Sequence, residues 1–182
     1  MSGGDSIPSL RIRKPIVDVS FENISVTNDP LDLVEYILTA EEVGFERIGE
    51  QEIHFSVPGQ WCDYPLWFAW RPENEVLHLC LGIDAKIKQR RRPDVCDLLV
   101  RINERLASGH FDLWSEDGTI IYRHALPLPD TTLPTPGQLA AMTNAASAAA
   151  ERLIPALNFV LWAGKTPSEA VEAALFETAG EA

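Results

Sequence analysis

Apolar and polar positions repeat along this chain with two periods, and the changes of period mark its elements. In NDPLDLVEYILTAEEVG, Leu31, Val34, Ile37 and Leu38 recur at helical spacing. Asp29 is placed to cap that helix, Pro30 fits its first position, and Asp32 suits the positive end of its dipole. Gly44 is a stop signal. The period then drops to two. In EIHFSV, Ile53, Phe55 and Val57 point one way and Glu52, His54 and Ser56 the other. A tryptophan-rich segment follows, then a turn at Pro72, Glu73 and Asn74, then EVLHLCLGI, where Leu77, Leu79, Leu81 and Ile83 share a face.

Helical spacing returns in RRPDVCDLLVRINERLASG at Val95, Leu98, Leu99, Ile102 and Leu106, with Gly109 as terminator. HFDLWSEDGTIIYRHAL reads as a hairpin folded at Asp117-Gly118. Beyond a proline-rich connector, Thr135, Pro136 and Gln138 resemble a capping box. It opens a long alanine-rich helix, which Pro155 should kink or split. Thr166, Pro167 and Glu169 repeat the start signal for a short last helix ending near Gly180. Segregated strands and helices predict an α+β fold, an antiparallel sheet with helices packed on one face, in the order α-β-β-β-α-β-β-α-α. Residues 1–27 read as a separate flexible arm, extended and partly apolar, ahead of a domain over 28–182.

The segment PGQWCDYPLWFAWRPE holds three of the chain's five tryptophans. Read as one strand, it puts Cys62, Tyr64, Leu66, Phe68 and Trp70 on an apolar face, which is core. Trp61, Asp63, Pro65, Trp67, Ala69 and Arg71 take the other face. Pro65 cannot donate to a ladder and points to an edge strand or a bulge. Trp67 has two readings: covered by a helix or the arm, or exposed as an anchor for a partner. On the second reading Trp61, Trp67 and Arg71 are the candidate partner-binding residues.

Composition narrows the function. The net charge of −12 disfavours nucleic acid and anionic membrane as partners. No apolar run is long enough to span a bilayer, and the N-terminus lacks the apolar segment of a signal peptide. The three cysteines form no CxxC pair. A cytoplasmic protein with reduced thiols is expected.

Walker, dinucleotide, HExxH and GxSxG motifs are all missing from the sequence. The four histidines are scattered; His54 falls on a polar strand face, and His110 and His124 could meet across the hairpin, two short of a zinc set. Cys62, on the apolar face, reads as an inert core thiol. Neither a metal nor a cofactor is expected. KIKQRRR, residues 86–92, is the one basic cluster, either a solvated loop or a dock for an acidic partner.

PLDLVEYILTAEEVGFE, VPGQWCDYPLWFAW, NERLASGHFDLWSEDG and FVLWAGKTPSEAVEAALFETAGEA together resemble the YbjN family over roughly residues 28–182. Its members are described as bacterial sensory transduction regulators. The resemblance implies a fold similar to class I type III secretion chaperones: small, acidic, cytoplasmic dimers that bind extended segments of other proteins. A short strand near Phe45 and a helix after Thr166 depart from that pattern. It brings no catalytic residues to carry over. The expectation is a non-enzymatic cytoplasmic protein-interaction module, chaperone-like or regulatory, working as a homodimer on an unnamed protein partner. The alternative is a small-molecule sensor with a pocket between sheet and helices.

Overall fold

The computed structural model describes residues 29–179; the N-terminal arm expected from the sequence lies outside them. The elements are α1 (Pro30–Ala40), β1 (Phe45–Ile48), β2 (Glu52–Pro58), β3 (Asp63–Arg71), β4 (Val76–Lys86), α2 (Arg92–Asn103), β5 (His110–Leu113), β6 (Thr119–Pro127), α3 (Pro136–Leu161) and α4 (Pro167–Ala179). The strands form one antiparallel sheet in the order β1-β2-β3-β4-β6-β5. The α+β class and the run of elements agree with the sequence reading, with β1 as the added short strand near Phe45.

Register explains how the sheet carries its core. Phe45, Phe55, Leu66, Leu81, Tyr122 and Phe111 lie opposite one another in turn, one from each strand. This row, with Ile53, Phe68, Leu79 and Ile120 beside it, packs against the buried residues of all four helices. Ala69, Cys80 and Ile121 are also buried, at 2%, 8% and 4% exposure, but stand outside that cluster. They belong to the opposite face, over which no described helix packs.

Local chemistry fixes the helices. Asp29 accepts the Leu31 amide at 2.9 Å and so caps α1. Arg47 of β1 then reaches Asp29 and Asp32, both at 2.7 Å, and Glu35 at 3.0 Å, tying α1 to the sheet edge. Thr135 and Gln138 make the expected capping box of α3. Pro155 lies inside α3, which continues as one element from Pro136 to Leu161. A proline leaves the carbonyl four residues earlier without its helical donor. That carbonyl belongs to Glu151, and the Trp61 indole donates to it at 3.3 Å.

Helix α2 stops at Asn103, short of Gly109. The Asn103 side chain accepts the Phe111 amide at 2.8 Å and donates to the Phe111 carbonyl at 3.1 Å. Arg92 donates to the carbonyls of Leu113 and Trp114, each at 3.2 Å. The outer side of edge strand β5 is thus occupied by side chains of its own domain, which blunts it against pairing.

Pro65 corrects the expectation of an edge strand, because β3 lies inside the sheet between β2 and β4. The Trp70 amide bonds Gln51 on the β2 side, so alternation turns residue 65 toward β4. The β3–β4 ladder begins only at Leu66, so the missing donor falls just past its end.

Gly109 and Gly164 both adopt left-handed backbone, at φ 66° and 67°. A Cβ on Gly109 would overlap the buried Tyr122 ring, whose hydroxyl donates to Ser108 at 2.9 Å; one on Gly164 meets open space. Gly164→Ala should therefore cost only the backbone strain, about 1–2 kcal/mol. Gly109→Ala should add about 1–3 kcal/mol for displaced packing. Urea melts of the two variants measure the difference.

Candidate functional site

The pleat that sends the apolar row to the helices sends its neighbours the other way. One residue along each strand from that row stand Glu46, His54, Trp67, Cys80, Arg123 and His110, aligned across the sheet. Flanking rows on the same face bring Glu52, Ala69 and His78 together on one side, and Pro65, Gly82, Ile121 and Asp112 near one another on the other. Central strand β4 contributes small side chains here, Cys80 and Gly82. A Cβ on Gly82 would lie 3.7 Å from the Trp67 ring, so the indole leans over that glycine. The result is a cavity of about 560 Å³. Ala69, Cys80 and Ile121 lie low in it, with Trp67, Trp114, Arg71 and Arg123 around them.

The polar groups of this face are paired outward. His54 stacks on Trp67 with ring centroids 5.7 Å apart and 15° between planes. Glu52 accepts from Arg71 at 2.8 Å and lies 3.1 Å from the His54 ring nitrogen. Burial alone would raise the Glu52 pKa; the hydrogen bonds from Arg71 and His54 outweigh it and hold the carboxylate below its ordinary value. Arg123 reaches Asp112 at 3.3 Å. Cys80 is the opposite case: burial pushes its thiol up to about 11, so it is neutral and unreactive at pH 7. His78 is held below its ordinary value by burial, then by Arg123 and Arg71, and its Nδ1 is buried without a hydrogen-bond partner.

Of the residues singled out in the sequence, Trp67 and Arg71 lie on this face, and no described helix covers Trp67. Trp61 does not join them. It precedes β3 and reaches α3 on the helix side, where it is 44% exposed. Trp70 faces the core as expected, but is only half-buried at the strand end.

Cys62 is a correction: it is exposed, not a core thiol, because Gly59 bonds its carbonyl in a loop before the strand begins at Asp63. Its thiol is also raised, by partial burial and then by Asp63 and Asp84, which disfavours a nucleophile. His110 and His124 do not meet, since His110 pairs with Arg123 and the next residue, His124, turns to the other face. Among the described residues no group of histidines, cysteines and carboxylates could hold a metal ion. In the basic connector, Arg91 and Arg92 bond the carbonyls of α3 and of the β5 end. The alternative sensor reading places a pocket between sheet and helices; the cavity opens on the opposite face.

Sequence reading missed His78, Cys80, Trp114, Ile121 and Arg123 as members of one site. The alternation in EVLHLCLGI placed His78 and Cys80 opposite the leucines, but which strand they adjoin is a matter of register.

The family described as "Putative bacterial sensory transduction regulator", YbjN, matches residues 30–159. The chain belongs to the YbjN family. A solved structure, titled "Crystal structure of YbjN, a putative transcription regulator from E. coli", shares the fold at a TM-score of 0.51 and 12% identity. The match covers 84% of this chain and 97% of that one. Among curated proteins none matches. The fold is therefore shared at very low identity, and in this chain the helix-free face of the sheet carries the cavity. No described helix is long and apolar enough to cross a membrane.

Two half-buried histidines give the domain an acid-sensitive window. His78 and His124 both have depressed folded values, from burial first, against 6.5 for the free side chain. The unfolded chain then binds more protons, so stability is full above pH 6.5 and falls as pH drops below it. Glu52 loses its own contribution only below its ordinary 4.5. Melting temperature measured from pH 8 to 5 should decline below 6.5, and His78→Asn should reduce that decline to the part owed to His124 while leaving the acid limb of Glu52.

Proposed function

We propose that this protein is a non-enzymatic regulatory module of the bacterial cytoplasm that binds another protein through the helix-free face of its sheet. One observation carries the reading: four helices crowd one face, while the other, over which no described helix packs, holds a cavity lined in part by Trp67 and Arg71. Tryptophan and arginine are among the residue types enriched where binding energy concentrates. Membership of a family of regulators agrees with a role in contact rather than in chemistry. A chaperone-like action on a segment of another protein is the finer form of this reading. The domain is proposed to begin at residue 28 and to act as a homodimer. No nucleic acid is proposed as partner, given the charge of −12.

A second reading has its own support. The cavity volume, about 560 Å³, lies in the range of small-molecule sites, about 300–1,000 Å³. It favours a sensor whose ligand sits on the open face.

Two variants test the first reading. Trp67→Ala should lose little folding stability but weaken partner capture by about 2 kcal/mol or more. Trp70→Ala, which opens a gap beside the core, should cost folding stability toward the lower end of about 3–5 kcal/mol and leave capture intact. Urea melts and quantitative pull-downs separate these outcomes; equal stability losses would make Trp67 a packing residue. Light scattering over a wide concentration range should return a dimer mass, and a constant monomer mass would remove the homodimer.

A further inference from the structure

The open-face cavity has a charge and a shape that specify more than a generic pocket. Its lining includes Arg71 and Arg123 but only one carboxylate, Glu52, on a chain of net charge −12. His78 is set between the two arginines: it lies opposite Ala69 on β3, while Arg71 is one row away and Arg123 one row away on the other side. Both guanidiniums act on that ring and help to keep it uncharged, after burial. Arg123 spends one nitrogen on a carboxylate, Nη1 on Asp112, while Arg71 gives Nη2 to Glu52 and Nη1 to its neighbour's carbonyl at Trp70. A guanidinium has five N–H donors in a planar fork, so each retains donors for an incoming anion. Planar oxyanions fit that fork best.

Beside this positive stretch the cavity lining is apolar. Ala69, Cys80 and Ile121 offer no charge. The Trp67 ring stands at one side, fixed by its stack on His54 and its approach to Gly82. Trp114, 47% exposed, borders the other. Such walls favour an aromatic ring, which gains from offset or edge contacts with indoles beyond simple burial.

From these observations we infer that the cavity binds a small aromatic carboxylate, its ring between Trp67 and Trp114 and its carboxylate at Arg71 and Arg123. This rests on the sensor reading of the site and supplies its ligand class. The bound anion would lie beside His78, and its charge would favour the protonated ring.

Calorimetry on the full chain with indole-3-acetate and, as the neutral counterpart, indole-3-acetamide tests the inference. The acid should bind at least about ten-fold more tightly than the amide, a difference of about 1.4 kcal/mol. Arg123→Gln should erase that preference, with circular dichroism and thermal melts establishing that the variant is folded; Arg71→Gln serves the same purpose if it is not. In a proton NMR titration, saturating acid should raise the pKa of His78, whereas the amide should leave it in place. Equal binding of acid and amide, no binding of either at millimolar concentration, or a preference that survives both arginine substitutions would overturn the inference. Partner capture is read separately in the pull-downs, so a failure here is distinguishable from a failure of the protein-binding role.

Discussion

A single-residue offset governs this molecule. The apolar row from Phe45 to Phe111 and the polar row from Glu46 to His110 are the same six positions displaced by one residue along each strand. The pleat turns consecutive side chains to opposite faces, so the two rows are inseparable. Slipping any strand by one residue would bury a polar member of the second row under the helices and expose an apolar member of the first. The register that builds the core therefore also sets the site. Cross-strand neighbours such as Trp67 and Cys80 owe their contact to Leu66 and Leu81 packing beneath the helices.

The same economy governs the edges. Asn103 and Arg92 answer the outward backbone groups of β5, and Arg47 binds edge strand β1 to α1. An unguarded edge is a template for any extended chain. With β5 occupied in this way, association is directed toward faces, where side chains rather than amides make the contacts. That is a reason to place specificity in Trp67 and the arginines.

Much of this was legible along the chain, and the failures share a cause. Alternation in EIHFSV and in the leucines from Leu77 to Leu81, the cap at Asp29 and the turn at Asp117-Gly118 all depend on neighbours in sequence, and the structure carries each of them. Trp61 and Cys62 were assigned faces by extending the strand backward past Asp63, where a loop closed by Gly59 ends the alternation. Pro65 suggested an edge because a missing donor is costly in a ladder; where that ladder ends is invisible until β4 is in place. The site itself draws on four strands and on Trp114, just past the end of β5. His78 and Arg123 look like isolated polar residues in two separate runs, and only the order β3-β4-β6 makes them neighbours.

The bond from the Trp61 indole to the Glu151 carbonyl has a consequence for how this fold can vary over evolutionary time. Pro155 creates the vacancy that the indole fills, so a proline and a tryptophan far apart in sequence form one structural unit. Losing the tryptophan alone leaves the carbonyl to solvent. Losing the proline alone restores a helical donor that competes with the indole for the same oxygen. Lineages that drop one member should be released from keeping the other, and drift at the two sites should be correlated although neither touches the cavity.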